Sequence, residues 1–105
     1  MAKRARTERR KTERDVVKLA RTRIKLAALE PGGAAERPIE VPSASVVEVH
    51  ASSFPCVACG ASGVRIEEHV AVTIDQRPLR IARTVCPRCG VRRDVYFRIA
   101  PTLPS

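Results

Sequence analysis

Aromatic side chains are nearly missing from this 105-residue chain: Phe54, Tyr96 and Phe97 are the only ones, and tryptophan does not occur. A core built from it is therefore aliphatic and small, and a single modest domain of this size commonly needs a staple. Although 44% of the residues are hydrophobic, no run approaches the roughly 18–20 consecutive apolar residues of a membrane span. The opening MAKRARTERRK is basic but lacks the apolar stretch of a secretory signal, which points to a cytoplasmic location. Catalytic residue types are equally thin. His50 and His69 are the only histidines, and no Ser-His-Asp set, phosphate loop or isolated carboxylate pair occurs. Glu67 and Glu68 are adjacent, and neighbours on a strand point to opposite faces. The expectation is a protein that is not an enzyme and takes no small-molecule substrate.

Charge is abundant and of one predominant sign. Twenty Lys and Arg against 11 Asp and Glu give a net +9. Its distribution is uneven, with +7 in residues 1–30, −2 in residues 31–55 and +4 in residues 56–105. Such a balance favours an anionic partner, of which nucleic acid is the commonest. Arginine outnumbers lysine 16 to 4, a bias that fits a GC-rich bacterial genome and is no signature of arginine chemistry by itself.

The chain divides by pattern. Residues 1–11 have many like charges and no apolar period, and are expected to be a disordered basic tail. Thr12 followed by Asp15 has the form of a capping box, so an amphipathic helix is expected over 12–30. Val17, Ala20, Ile24 and Ala27 form its apolar stripe, flanked by Val16, Leu19 and Leu26, while Arg14, Lys18, Arg21 and Lys25 share the other face. Pro31-Gly32-Gly33 ends it. Residues 31–45, rich in Pro, Gly and Ala, read as a flexible linker that builds no packed unit. In SVVEVHASSF (45–54), weak alternation at Val47 and Val49 suggests a short strand.

Residues 46–100 form the last unit, and from Val64 its apolar residues alternate with period two, interrupted at Glu68. Val64, Ile66, Val70, Val72 and Ile74, then Leu79, Ile81 and Val85, then Val91, Val95, Phe97 and Ile99 mark three strands, about 64–74, 79–85 and 91–99. DQRP (75–78) supplies a turn, and an antiparallel meander is the simplest connection. PTLPS (101–105) is a tail. The expected fold is a small α+β, mainly β chain: a three-stranded antiparallel sheet preceded by a basic helix and a linker.

All four cysteines lie in two short stretches, CVACG (56–60) and CPRCG (86–90). A tight turn between cysteines spaced two apart aims both sulfurs at one point, and Gly60 and Gly90 allow the left-handed backbone such a turn needs. One turn offers half of a tetrahedral thiolate site; two complete it. A redox pair needs one such motif opening a helix within a βαβ pattern, and disulfides need an oxidising compartment. Neither context is present. The combination of C-x2-C-G, strands and C-P-x-C-G resembles the zinc ribbon family over residues 54–99. That resemblance implies one structural Zn²⁺ held by Cys56, Cys59, Cys86 and Cys89 at the end of a small antiparallel sheet. The 26 residues between the pairs exceed the roughly 15–20 of the usual template, which a long hairpin accommodates. A rubredoxin-like iron electron carrier is a minor alternative, because four cysteines do not choose between zinc and iron. A catalytic zinc keeps a position open for water, and four thiolates leave none.

Two partner classes follow. Nucleic acid, DNA or RNA, would be held by Lys3, Arg4, Arg6, Arg9, Arg10 and Lys11 of the tail, and by a strand face carrying Arg80, Arg92, Tyr96 and Arg98. Alternatively, the apolar side of the sheet needs a cover. Either the helix over 12–30 closes it, or that face or helix docks on another protein as an adaptor.

Overall fold

Alternation in the C-terminal half becomes three antiparallel strands, and segments expected to be irregular join them. The structure is a computed structural model that describes residues 2–100, with side chains from residue 8 onward. Its elements are α1 (Ala2–Ala28), β1 (Ile39–Val41), α2 (Ala44–Ser53), β2 (Arg65–Ile74), β3 (Arg77–Val85) and β4 (Arg92–Ile99). The sheet is four-stranded in the order β1-β4-β3-β2; β1 runs parallel to β4 and the remaining pairs are antiparallel. The expected three-stranded sheet is thus extended at one edge. Residues 101–105, read as a tail, lie outside the described residues.

The added strand comes from the stretch expected to be a linker. Ile39 pairs with Phe97 and Val41 with Ile99, and the amide of Ala100 donates to Val41 O at 2.9 Å. Gly32 ties the preceding loop to the same edge, accepting from the Tyr96 amide at 2.9 Å. Its φ of 84° is left-handed, and an added Cβ would stand 2.6 Å from Ile39 Cδ1.

The cover of the sheet is α2, formed by residues expected to be a strand. Val47 and Ala51, one helical turn apart, are buried with Val41, Ala82, Val95 and Phe97 in the main core, and Phe54 packs beside them. Val49, the alternate position in a strand reading, is 71% exposed. Three valines in six residues carry β propensity, but burial of one helical face outweighs it. The helix α1 was one of two expected covers, but it stays at the margin of the sheet, where Ile24, Ala27 and Ala28 face Arg92, Asp94 and Tyr96 across a groove.

Helix α1 also begins earlier than expected. It runs through the segment read as a disordered tail, so Thr12 is interior, and its hydroxyl donates to Glu8 O at 2.9 Å instead of capping a helix start. Residues 2–28 contain no Gly or Pro, and Leu, Ala, Lys and Arg are good helix formers. At the far end Arg37 Nη2 donates to Ala28 O at 2.7 Å, satisfying a terminal carbonyl.

A bulge at Glu67 redistributes the apolar row. Pairing shifts register between Ile66 and Glu68, so Ile66 lies on the α2 side with Thr84, while Val70 and Val72 turn to the opposite side beside Ile81 and Leu79. What reads as one apolar row becomes two faces. The bulge also places Glu67 and Glu68 on one side, where each meets an arginine at 2.8 Å, Glu67 with Arg92 and Glu68 with Arg83. The hairpin between β2 and β3 turns on Asp75 and Gln76, with φ of 50° and 66°, the left-handed pair of a tight two-residue turn.

Candidate metal centre

Two knuckles of matching geometry build the site. In the first, Cys56 N donates to Ala61 O at 2.9 Å and Gly60 N to Cys56 O at 2.8 Å. In the second, Cys86 N donates to Val91 O at 3.0 Å and Gly90 N to Cys86 O at 2.8 Å. Gly60 and Gly90 close the turns at φ 76° and 77°, where a side chain would be strained. β3 runs straight into Cys86 and β4 leaves after Gly90, so the sheet positions the second knuckle; the first follows α2 and precedes β2.

The four sulfurs all lie within 4.8 Å of one another. Cys56 Sγ is 3.5 Å from Cys89 Sγ, and Cys59 Sγ is 3.6 Å from Cys86 Sγ. These separations are far from the ~2.05 Å of a disulfide and close to the ~3.8 Å edge of a tetrahedron with metal–sulfur bonds of about 2.3 Å. The cysteines are free thiols, with Cys56 and Cys86 buried and Cys59 and Cys89 exposed. Ala58 is buried with them, and Ala20 of α1, Ala61, Val64 and Val91 pack around the cluster.

Electrostatics separate the thiols in the metal-free chain. The Cys89 amide, opposed by burial and assisted by the Arg88 amide and the Cys59 and Cys89 thiols, lowers Cys86 to about 6. The Val91 amide favours a Cys89 thiolate, but burial and the Cys56, Cys86 and Cys59 groups outweigh it and push Cys89 up to about 12. One sulfur ionises readily and another resists, as expected of like charges crowded together. A divalent cation bound there would supply the missing positive charge. The donor set fits a thiophilic metal, with four sulfurs and no oxygen or nitrogen in the cluster.

Neither histidine joins this set. His50 packs edge-on against Phe54 and Phe97, at centroid distances of 5.2 and 5.6 Å. His69, expected to be exposed on a polar strand face, pairs with Ala82 on the core side and is half-buried.

The residues expected to touch nucleic acid are not brought together as one surface. Lys3, Arg4 and Arg6 lie outside the described side chains, and Arg9, Arg10 and Lys11 are exposed on α1. Arg80 pairs with Phe97 and so points to the α2 side, whereas Tyr96 pairs with Ile81 on the other. Arg92 is bridged to Glu67 and Arg98 to Glu40. The strand-face platform is thus split between two faces, with two of its arginines already engaged. A more continuous basic surface runs along α1, and of its residues only Arg10 was among the expected contacts. Arg10, Arg14, Lys18, Arg21 and Lys25 line one side of α1 at three- and four-residue steps, all exposed, and none forms an ion pair among the described residues.

Fold and site together define a small mixed α/β chain with a four-cysteine metal-binding cluster between two ribbon-like knuckles. No helix among the described residues is long and apolar enough to cross a membrane. Comparison with protein-family models, curated proteins and solved structures gave no match to this chain.

Proposed function

We propose that the chain is a non-catalytic, zinc-stapled protein that binds the phosphate backbone of nucleic acid through α1. The observation that carries this reading is the stripe Arg10, Arg14, Lys18, Arg21 and Lys25, none of which forms an ion pair among the described residues. At 1.5 Å per residue it extends about 22 Å, with Glu13 the acidic neighbour at the edge of its first turns, beside Arg10 and Arg14. Such a row meets successive phosphates and releases counterions, which gives affinity without sequence choice. Zinc is preferred over iron for the cluster because a closed four-thiolate shell around a redox-inert ion suits a staple in a chain with so little aromatic core. The cluster then orders the knuckles against which Ala20 rests, and so fixes the root of α1.

The test is a salt titration of binding to a generic DNA or RNA duplex. The wild-type chain is expected to show a steep linear fall of log K with log salt. Arg14→Gln/Lys18→Gln/Arg21→Gln should reduce the slope by about 0.9 for each phosphate no longer neutralised. Arg98→Gln, at a residue bridged to Glu40, is expected to leave it unchanged. A slope indifferent to the triple substitution overturns the assignment to α1.

A further inference from the structure

One long edge of the sheet has no partner. β2 (Arg65–Ile74) is last in the strand order, with only β3 beside it. The two-residue turn at Asp75 and Gln76 makes Ile74 and Arg77 a hydrogen-bonded pair. Such pairs alternate along the ladder with pairs whose N–H and C=O groups point away. Val72 and Val70 therefore bond to Leu79 and Ile81, while Thr73, Ala71 and His69 direct their amides and carbonyls out of the edge. The far side of the sheet gives the same parity. The Tyr96 amide donates to Gly32 O, so Tyr96 does not bond to its counterpart Ile81, which turns its main-chain groups to Val70 instead.

Sheet edges of this kind are ordinarily blunted by charge, proline or a bulge. Here those devices stop short. The register shift between Ile66 and Glu68 lies at one end, with Arg65 and Glu67, and the turn lies at the other. Residues 69–74 between them contain no Lys, Arg, Asp, Glu or Pro. Ala71 and Thr73 are exposed, so α2 does not overhang this stretch. On the face away from α2, Val70, Val72 and Ile74 are half-buried beside the buried Ile81 and Leu79, an apolar row that stops at the edge.

We propose that this edge pairs antiparallel with the same edge of a second copy of this chain, about a two-fold axis at Ala71, joining the two sheets into one. The outward-facing residues are symmetric about Ala71. His69 of each copy meets Thr73 of the other and Ala71 meets Ala71, so every free amide and carbonyl of the stretch finds a partner. Val70 of each copy stands opposite Val72 of the other, which carries the apolar row across the axis through β-branched pairs. Shifting the register by two residues would set Thr73 against the bulge at Glu67, or His69 against the turn, and lose hydrogen bonds. Charge fits the same register. Arg92 and Arg83 neutralise Glu67 and Glu68, which leaves Arg65 as the charge at that end. The second copy brings up its turn there with Asp75, and neither Arg65 nor Asp75 forms an ion pair among the described residues. A contact limited to one strand edge belongs to the class below about 1,200 Å², so a weak, reversible dimer is expected. Pairing of this kind is isologous and closes at two copies.

Sedimentation equilibrium of the full-length, metal-loaded chain without nucleic acid tests the proposal, and is independent of the nucleic-acid reading because no variant touches α1. Expected is a reversible monomer–dimer equilibrium. Ala71→Pro removes an outward N–H and leaves the ladder to β3 intact; it should weaken association about tenfold or more. Ala71→Lys and Ala71→Glu each set like charges across the axis and should each weaken it, whereas an equimolar mixture of the two should associate as heterodimers. Unchanged metal content and unfolding temperature establish that each variant keeps its fold. A wild-type chain that stays monomeric at several hundred micromolar overturns the proposal, as does a dimer indifferent to Ala71→Pro. Failure of the mixture to associate better than either variant alone overturns the axis at Ala71. A chain that stays monomeric yet pairs with an added extended peptide, read as slowed amide exchange at His69, Ala71 and Thr73, assigns the edge to a foreign strand and overturns it too.

Discussion

The sulfur of Cys56 lies 3.5 Å from that of Cys89, across 33 positions of sequence, while their partners Cys59 and Cys86 stand 3.6 Å apart. Each knuckle thus presents one buried and one exposed sulfur, and the halves interlock. One divalent ion per chain is the expected loading, measured by elemental analysis. Iron, or half a zinc per chain, would contradict the proposed single zinc site. Chelation should lower the unfolding temperature sharply, because structural zinc contributes about 10–16 kcal/mol of apparent binding energy in small finger peptides. Cys59→Ser should do the same, removing a ligand from an exposed position where the fold has little else to lose.

Acid should release the metal. Bound metal requires four thiolates, so the loaded state holds fewer protons than the metal-free one, and affinity falls as pH falls. Cys86, lowered to about 6, keeps its thiolate down to that pH, whereas Cys89, pushed up to about 12, must give up its proton to the metal throughout the neutral range. Metal titration at pH 7 in weak buffer should therefore release protons; uptake with none released would contradict thiolate ligation.

Phe97→Ala should cost about 3–5 kcal/mol, the range for removing a buried aromatic ring, because Phe97 is fully buried under α2. Tyr96, its half-buried neighbour on the opposite face, should tolerate the same change far better. Urea denaturation of the metal-loaded protein distinguishes them. Equal losses would mean that α2 is not the cover of the sheet.

Gly32→Ala should destabilise by more than about 1 kcal/mol, since a left-handed backbone disfavours any side chain. The new Cβ would also meet Ile39 Cδ1. The loss should appear as detachment of β1, read by faster amide exchange at Ala100, which donates to Val41.

Gln76→Gly should act in the opposite sense. Gln76 holds φ 66° in the hairpin turn, and glycine there removes a strain of about 1–2 kcal/mol, less the entropy of a freer unfolded chain. A net gain of roughly 0.5–1 kcal/mol in thermal unfolding is expected. No gain would mean that the turn relaxes out of this conformation in solution.

The chemistry of the cysteine site was legible because it is local. Two-residue spacing and a following glycine specify each knuckle without reference to the rest of the chain, and period-two alternation specified β2, β3 and β4. The helix α2 was not legible in the same way. Val46, Val47 and Val49 are read equally well as strand residues, and only contact with Phe97 and Val95 makes Val47 and Ala51 one buried face. β1 was hidden for the same reason: Ile39 and Val41, between prolines, gain meaning from the free edge of β4.

By itself the sequence determined the two cysteine knuckles, the alternation of three strands and a basic amphipathic helix, since each of these patterns is written within a few residues. Tertiary structure decided the parallel edge strand, the cover of the sheet and the face on which each arginine falls. One bulged residue, Glu67, reverses the side to which the following strand positions point, and pairing between distant segments sets that register.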